Sequence, residues 1–230
     1  MMGSDVANRT IYLIRHGSTS YNEGGDDGQE RIRGWHDIPL SDKGHAEIPP
    51  LVNKLRNSGI DVVYTSNLTR AAQTADPIGQ ELDVPVLRTH GLRPWNVGQF
   101  TGVESDVAHP EMMAYAMDMP DENIPDGESF NTFRDRAING LKEILDASKG
   151  LMVAIVTHHR VERLLKAWIA AGQKPDNSID MDVMFRHGEK TANAEKLTFK
   201  GNGWYSNGQE QALDAGRFQR PPQRRIQSQG

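Results

Sequence analysis

The sequence predicts an α/β fold, a three-layer sandwich with a mostly parallel central sheet flanked by helices. Three observations carry this prediction. Short apolar runs rich in β-branched residues occur at 10–14, 60–65 and 151–156, and helical patterns alternate with them along the chain. The run at 151–156 (LMVAIV) is apolar at every position, as expected of a central strand covered on both faces. At 230 residues the chain is long enough to bury one sheet and its flanking layers.

The first strand, 10–14 (TIYLI), leads into a polar Gly/Asp-rich stretch between Asn22 and Arg33, expected to be a surface loop. The helix that should follow Lys43-Gly44 contains Pro49-Pro50. It must start late or kink, because proline lacks a backbone donor and clashes with the preceding turn. The second strand, 60–65 (IDVVYT), precedes a helix at 70–82. Residues 93–125 hold much Met and Pro and read as a loop-rich cap with one short helical piece at 111–117. Phe130, Phe133, Ala137, Leu141 and Leu145 recur at three- and four-residue spacing, which predicts an amphipathic helix over 129–148 opened by Ser129.

After the central strand, His158 opens a helix whose Val161, Leu164, Leu165, Trp168 and Ile169 share a face, with Gly172 as its stop. Strand-like stretches at 182–187, at 195–200 and around Trp204 complete a single domain over 1–208. Residues 209–230, rich in Gln, Arg and Pro, are expected to form a disordered tail. Trp35, Trp95 and Trp168 are expected in the core or in a pocket wall. His36, His45, His90 and His109 are expected at the surface, and His187 is a residue to place near a pocket mouth or outside it.

Composition excludes several function classes. A net charge of -5 argues against a nucleic-acid partner, whose binding rests on an extensive basic surface. The absence of cysteine removes disulfides, thiolate ligands and a thiol nucleophile. Residues 1–9 lack the apolar segment of a signal peptide, and no run approaches the roughly 20 apolar residues that span a bilayer. A soluble, cytoplasmic protein without a membrane partner is the expectation.

The three apolar strands are each followed within a few residues by groups suited to phosphoryl transfer: Arg15 and His16, then Arg70, then His158. If the strands are parallel neighbours, these side chains meet at the carboxyl edge of one sheet, where open α/β sheets bind ligands. A neutral imidazole can attack phosphorus, and planar guanidinium groups match phosphoryl oxygens bidentately. Gly17 keeps side-chain bulk away from this point. The set needs neither a metal nor a cofactor. A metal reading of His16, His158 and His159 lacks the spacing of known zinc motifs.

In sequence order the chain reads IRHGSTSYN, GWHDIPLSDKG, YTSNLTRAAQTA, LRPWNVGQFTG, PDGESF and IVTHH, and this series resembles the histidine phosphatase superfamily, the phosphoglycerate-mutase-like enzymes. The resemblance implies that His16 is the nucleophile that becomes phosphohistidine and that Arg15 and Arg70 hold the phosphoryl group. It implies that His158 is the second histidine of the pocket and Asn22 a further phosphate contact. Two departures stand out. Pro94 occupies the place where many members carry a general-acid glutamate, so Glu128, Asp126 and Glu104 become candidates for that role, Glu128 first. His159 stands where glycine is common. The function implied is a metal-independent phosphomonoester phosphatase acting on a small phosphorylated substrate. The alternatives are a phosphoryl-ligand binding module with decayed catalysis and a phosphomutase of the same superfamily.

Overall fold

Six strands make one sheet: β1 (Thr10–Arg15), β2 (Val62–Ser66), β3 (Val86–Thr89), β4 (Val153–Thr157), β5 (Ala194–Lys200) and β6 (Gly203–Ser206). The computed structural model describes residues 9–24, 28–185, 194–200 and 203–206. His187 and the stretch from 207 to the C-terminus, with its expected tail, lie outside the described residues. Hydrogen bonding runs in the order β3-β2-β4-β1-β5-β6. The first four of these strands are parallel to one another; β5 pairs antiparallel with β1, and β6 pairs antiparallel with β5.

The apolar run at 151–156 supplies β4, between β1 and β2. Its alternate side chains feed two cores. Val153 and Ile155 join Ile11, Leu13 and Val62 beneath α5 (Phe130–Ala147) and α6 (His159–Ala170). Ala154 and Val156 join Ile14 and Val63 beneath α2 (Ile48–Leu55) and α3 (Thr69–Leu82). A sheet buried on both faces explains why β4 shows no polar alternation.

The prolines act as anticipated. A short α1 (Asp42–Ala46) ends at Glu47, and the chain restarts as α2 with Pro49 and Pro50 in its first turn, where missing N–H groups go unused. Ser129 caps α5 by accepting from the Thr132 N–H. At the end of α6, Gly172 adopts φ +81° and its N–H donates to the Ile169 carbonyl.

Other expectations need correction. Strand β3 carries no clear sequence signal, because it is a four-residue edge strand whose Leu87 is exposed. The cap helix, α4, spans Ser105–Met117 instead of 111–117. Pro110 obscures it, although Ala108, Met112 and Ala116, four residues apart, bury one stripe against the core. Residues at the start of 182–187 belong to a short helix, α7 (Met181–Phe185), and not to a strand. Trp95 and Trp168 are buried, whereas Trp35 is half-buried at the site described below. Among the described residues no helix is long and apolar enough to cross a membrane.

The expected surface loop after β1 is pinned at its far end. The Arg31 N–H donates to the Tyr21 carbonyl, Ile32 N–H to Val103, and Ser105 N–H to Glu30. Ile32 itself enters the core. The loop's near end rests on α1, where a Cβ added to Gly44 would lie 2.1 Å from the Ser18 carbonyl oxygen. Only glycine permits this approach. Gly44→Ala is expected to cost about 1–3 kcal/mol in urea unfolding; an unchanged midpoint would refute the close contact.

Candidate active site

Parallel pairing places the residues that end β1 and β4 side by side. Arg15 stands opposite Thr157, and the His16 N–H donates to the Thr157 carbonyl at 3.0 Å. The imidazoles that follow, His16 and His158, meet edge to face with centroids 5.1 Å apart. Both rings are buried. Thr157 is fixed in turn by its hydroxyl, which donates to the Leu92 carbonyl at 2.9 Å.

His16 has a defined tautomer. Its Nδ1 lies 2.7 Å from the Gly17 carbonyl oxygen, which can only accept, so Nδ1 carries the proton and Nε2 keeps a free lone pair. Burial, and then the charges of Arg70, Arg33 and Arg15, hold its pKa well below the usual histidine value. The ring is therefore neutral at physiological pH, and its Nε2 lone pair can act as a nucleophile. Gly17 is held by its N–H, which donates to the Thr74 hydroxyl at 3.1 Å. Its added Cβ would lie 2.9 Å from the Gly44 carbonyl oxygen.

His158 is depressed in the same way, by burial and then by Arg70, His16, Arg33 and Arg15. Neither of its ring nitrogens has a hydrogen-bond partner, so one N–H is available to an incoming oxyanion. His159 is the first residue of α6 and half-buried, and burial with Arg15, Arg163, Arg160 and Arg33 pushes it down to about 3.

Arg70 comes from the first turn of α3 and is fully buried. The loop before α1 orients it with main-chain oxygens. Nη1 donates to the His36 carbonyl at 2.8 Å and Nη2 to the Gly34 carbonyl at 3.0 Å, while Nε is buried without a partner. The same loop caps the helix: Asp37 accepts from the Thr69 N–H and hydroxyl at 2.7 and 2.9 Å. Gly34 takes φ +51°, and a Cβ there would lie 2.7 Å from Val97. Burial lowers Arg70 to about 10, leaving it charged. Arg15 is likewise buried, with Nε unpaired, and burial lowers its pKa against the pull of Glu162, Glu30 and Glu47.

The structure thus brings Arg15, His16, Arg70 and His158 together. The remaining candidates have contacts elsewhere or face solvent. Asn22 closes the turn after the Arg-His-Gly motif, its Oδ1 accepting from the Thr19 N–H and hydroxyl. Both Glu128 oxygens accept from Arg136, and Oε1 also takes the Asn96 N–H at 2.9 Å. Arg136 further donates to the carbonyls of His90, Gly91, Arg93 and Pro94. Glu128 is the anionic end of a strut that shapes this loop, a task for an acceptor. Asp126 is exposed in a turn at φ +60°, and Glu104 lies 3.9 Å from Arg31.

Sequence reading missed Arg33 and Arg160. Arg33 sits in the stretch read as a surface loop, yet its side chain is only 14 % exposed. The signal lay in Ile32, whose apolar side chain among polar neighbours marks where that loop turns inward.

A family model described as the histidine phosphatase superfamily (branch 1) matches residues 11–184. The chain belongs to the histidine phosphatase superfamily. It is 33% identical over 168 residues to phosphoglycerate mutase-like protein 4 of Arabidopsis thaliana, covering 70% of this chain and 71% of that protein. Among solved structures, Bacillus stearothermophilus YhfR is 26% identical with a TM-score of 0.68, covering 86% of this chain and 95% of its own. A mycobacterial glucosyl-3-phosphoglycerate phosphatase, solved with VO3, shares the fold at 20% identity and a TM-score of 0.68, covering 86% and 97%.

Two predictions follow from the geometry. Breaking the Glu128–Arg136 pair, whose side chains are 12% and 15% exposed, leaves Arg136 its carbonyl acceptors but no counter-charge and is expected to cost about 1–3 kcal/mol. Glu128→Ala should therefore lower the urea midpoint strongly; an unchanged midpoint would return the carboxylate to the list of acids. The histidine pair predicts a pH dependence. The unfolded chain takes up protons near pH 6.5 while folded His16 and His158 stay neutral. Stability from this pair is complete above that pH and declines as pH falls below it, by up to about 1.4 kcal/mol per pH unit for each ring. His158→Gln should make the decline shallower in urea titrations between pH 7 and 5; an identical slope would contradict the buried neutral ring.

Proposed function

We propose that the protein is a phosphomonoester phosphatase acting through a phosphohistidine intermediate on Nε2 of His16. The observation that carries this reading is the 2.7 Å contact between Nδ1 of His16 and the Gly17 carbonyl oxygen, which orients a free lone pair among buried cations. Arg15 and Arg70 bind the phosphoryl oxygens, and an N–H of His158 donates to one of them as charge develops. Nε2 attacks phosphorus, the P–O ester bond breaks, and the leaving oxygen departs with the bonding electrons. The imidazolium formed on phosphorylation keeps its Nδ1–H on the Gly17 carbonyl. Water then attacks phosphorus, its proton is lost to solvent, and Nε2 recovers its lone pair as inorganic phosphate leaves. None of these steps calls on a metal.

With Pro94 at the usual acid position and Glu128 bound to Arg136, no side chain is assigned to protonate the leaving oxygen. General acid assistance is worth about 10²–10⁴ in rate, so aryl phosphates, whose leaving groups need little help, should be turned over better than alkyl phosphates. The same observation favours the second reading, a phosphoryl-ligand binding module without catalysis. A mutase is a further member of the enzyme class and would return a shifted phosphate isomer from a phosphoglycerate. The discriminating experiment is phosphate release from 4-nitrophenyl phosphate in excess chelator. Turnover that falls about 10³-fold or more in His16→Ala supports the phosphatase. Phosphate binding without turnover supports the module, and turnover abolished by chelator overturns the mechanism.

A further inference from the structure

His16 owes its free Nε2 lone pair to the Gly17 carbonyl, which accepts its Nδ1–H at 2.7 Å. The peptide group that holds this carbonyl also holds the Ser18 N–H, and that N–H donates to Oε2 of Glu47 at 2.8 Å. A carboxylate and an imidazole therefore stand at opposite ends of one planar amide. The Ser18 hydroxyl donates to the other oxygen, Oε1, also at 2.8 Å, so both oxygens of Glu47 are used as acceptors on this one residue.

The surroundings keep the arrangement in register. Glu47 occupies the junction between α1 and α2, and its own N–H is bonded back to the Lys43 carbonyl at 3.0 Å. The Ser18 carbonyl accepts from the Ser41 N–H at 3.0 Å. On the other side of Gly17, its N–H is held by the Thr74 hydroxyl, which donates in turn to the Arg70 carbonyl at 2.9 Å. Oε2 lies 3.4 Å from where a Gly17 Cβ would stand, so the carboxylate is packed against the peptide it bonds.

Hydrogen bonds in a chain polarise one another. An anion that accepts from the N–H of an amide increases the negative charge on its carbonyl oxygen, which becomes a stronger acceptor. That gain is largest when Nε2 bonds to phosphorus, because the ring then becomes an imidazolium and its Nδ1–H a stronger donor. No proton moves: Nδ1 and the Ser18 nitrogen each keep their hydrogen, and only the charge distribution changes. The carboxylate of a Ser-His-Asp triad steadies its imidazolium by direct contact; here one peptide group stands between the two.

We propose that Glu47 is a positioning residue for the nucleophile: through the Gly17–Ser18 peptide it fixes the tautomer of His16 and stabilises the imidazolium of the phosphohistidine. The second of these effects rests on the phosphatase reading, and the first does not.

Glu47→Gln keeps the shape of the side chain and removes its charge. Three quantities are compared with the unaltered protein: kcat for 4-nitrophenyl phosphate, affinity for inorganic phosphate by calorimetry, and the His16 Nδ1 proton resonance, assigned by its loss in His16→Ala. The variant is expected to lose about tenfold or more in kcat, the low end of what removing a histidine's outer partner does at metal sites. It should bind phosphate at least as tightly, and its Nδ1 proton should move upfield. Ser18→Ala, which drops only the hydroxyl arm, should leave kcat close to that of the unaltered protein. An unchanged kcat or an unmoved Nδ1 proton in Glu47→Gln overturns the proposal. A loss of phosphate affinity in step with kcat also overturns it, since a displaced loop disturbs the clamp and the nucleophile together. An equal loss of kcat in Ser18→Ala does the same, by reducing Glu47 to an anchor of the loop. Absence of turnover in the unaltered protein counts against the phosphatase reading alone, and the Nδ1 proton then decides the positioning role.

Discussion

The parallel pairing of β1 with β4 is the constraint from which the site follows. One register, Arg15 opposite Thr157, delivers two consecutive candidate residues from one strand and a histidine from the other to the same edge. A slip of one residue would reverse the faces of every side chain on β1 and bury Arg15 in the wrong layer. The apolar side chains of β4, committed to cores on both faces, prevent that slip. Packing far from the chemistry thereby sets the distance between the imidazoles.

The surrounding loops orient cations without neutralising them. Arg70 is held by the carbonyls of Gly34 and His36, dipoles that fix direction and leave the charge available to a ligand. Arg136, in contrast, is paired with Glu128 at 2.6 Å, and its charge is spent on architecture. The comparison separates two uses of buried arginine within one domain: one facing carbonyls near an imidazole, the other facing a carboxylate beneath a loop. Preorganised dipoles of this kind act without reorganising when charge develops on a ligand.

Much of this was legible in the sequence. The long amphipathic helix opened by Ser129 and the fully apolar strand β4 carry strong periodic signals, and the order of the motifs ties Arg15, His16, Arg70 and His158 to one sheet edge. What escaped did so for physical reasons. Strand β3 is short and at an edge, Pro110 disguises α4, and the segment 182–187 has no periodicity to distinguish strand from helix. Arg33 and Glu128 show the harder limit. Whether a charged residue faces a ligand, solvent or another charge depends on long-range placement, and Glu128 next to Gly127 reads the same whether its partner is a substrate or Arg136.

Unpaired donors on Arg15, Arg70 and His158 also link occupancy to lifetime. Each of these buried donors has no hydrogen-bond partner within the protein, a place that a phosphoryl oxygen could take. Any phosphate-like anion that binds the folded state and not the unfolded one shifts the unfolding equilibrium in proportion to the logarithm of its concentration. Under the proposed reaction, inorganic phosphate, its end product, would be a folding ligand as well as an inhibitor.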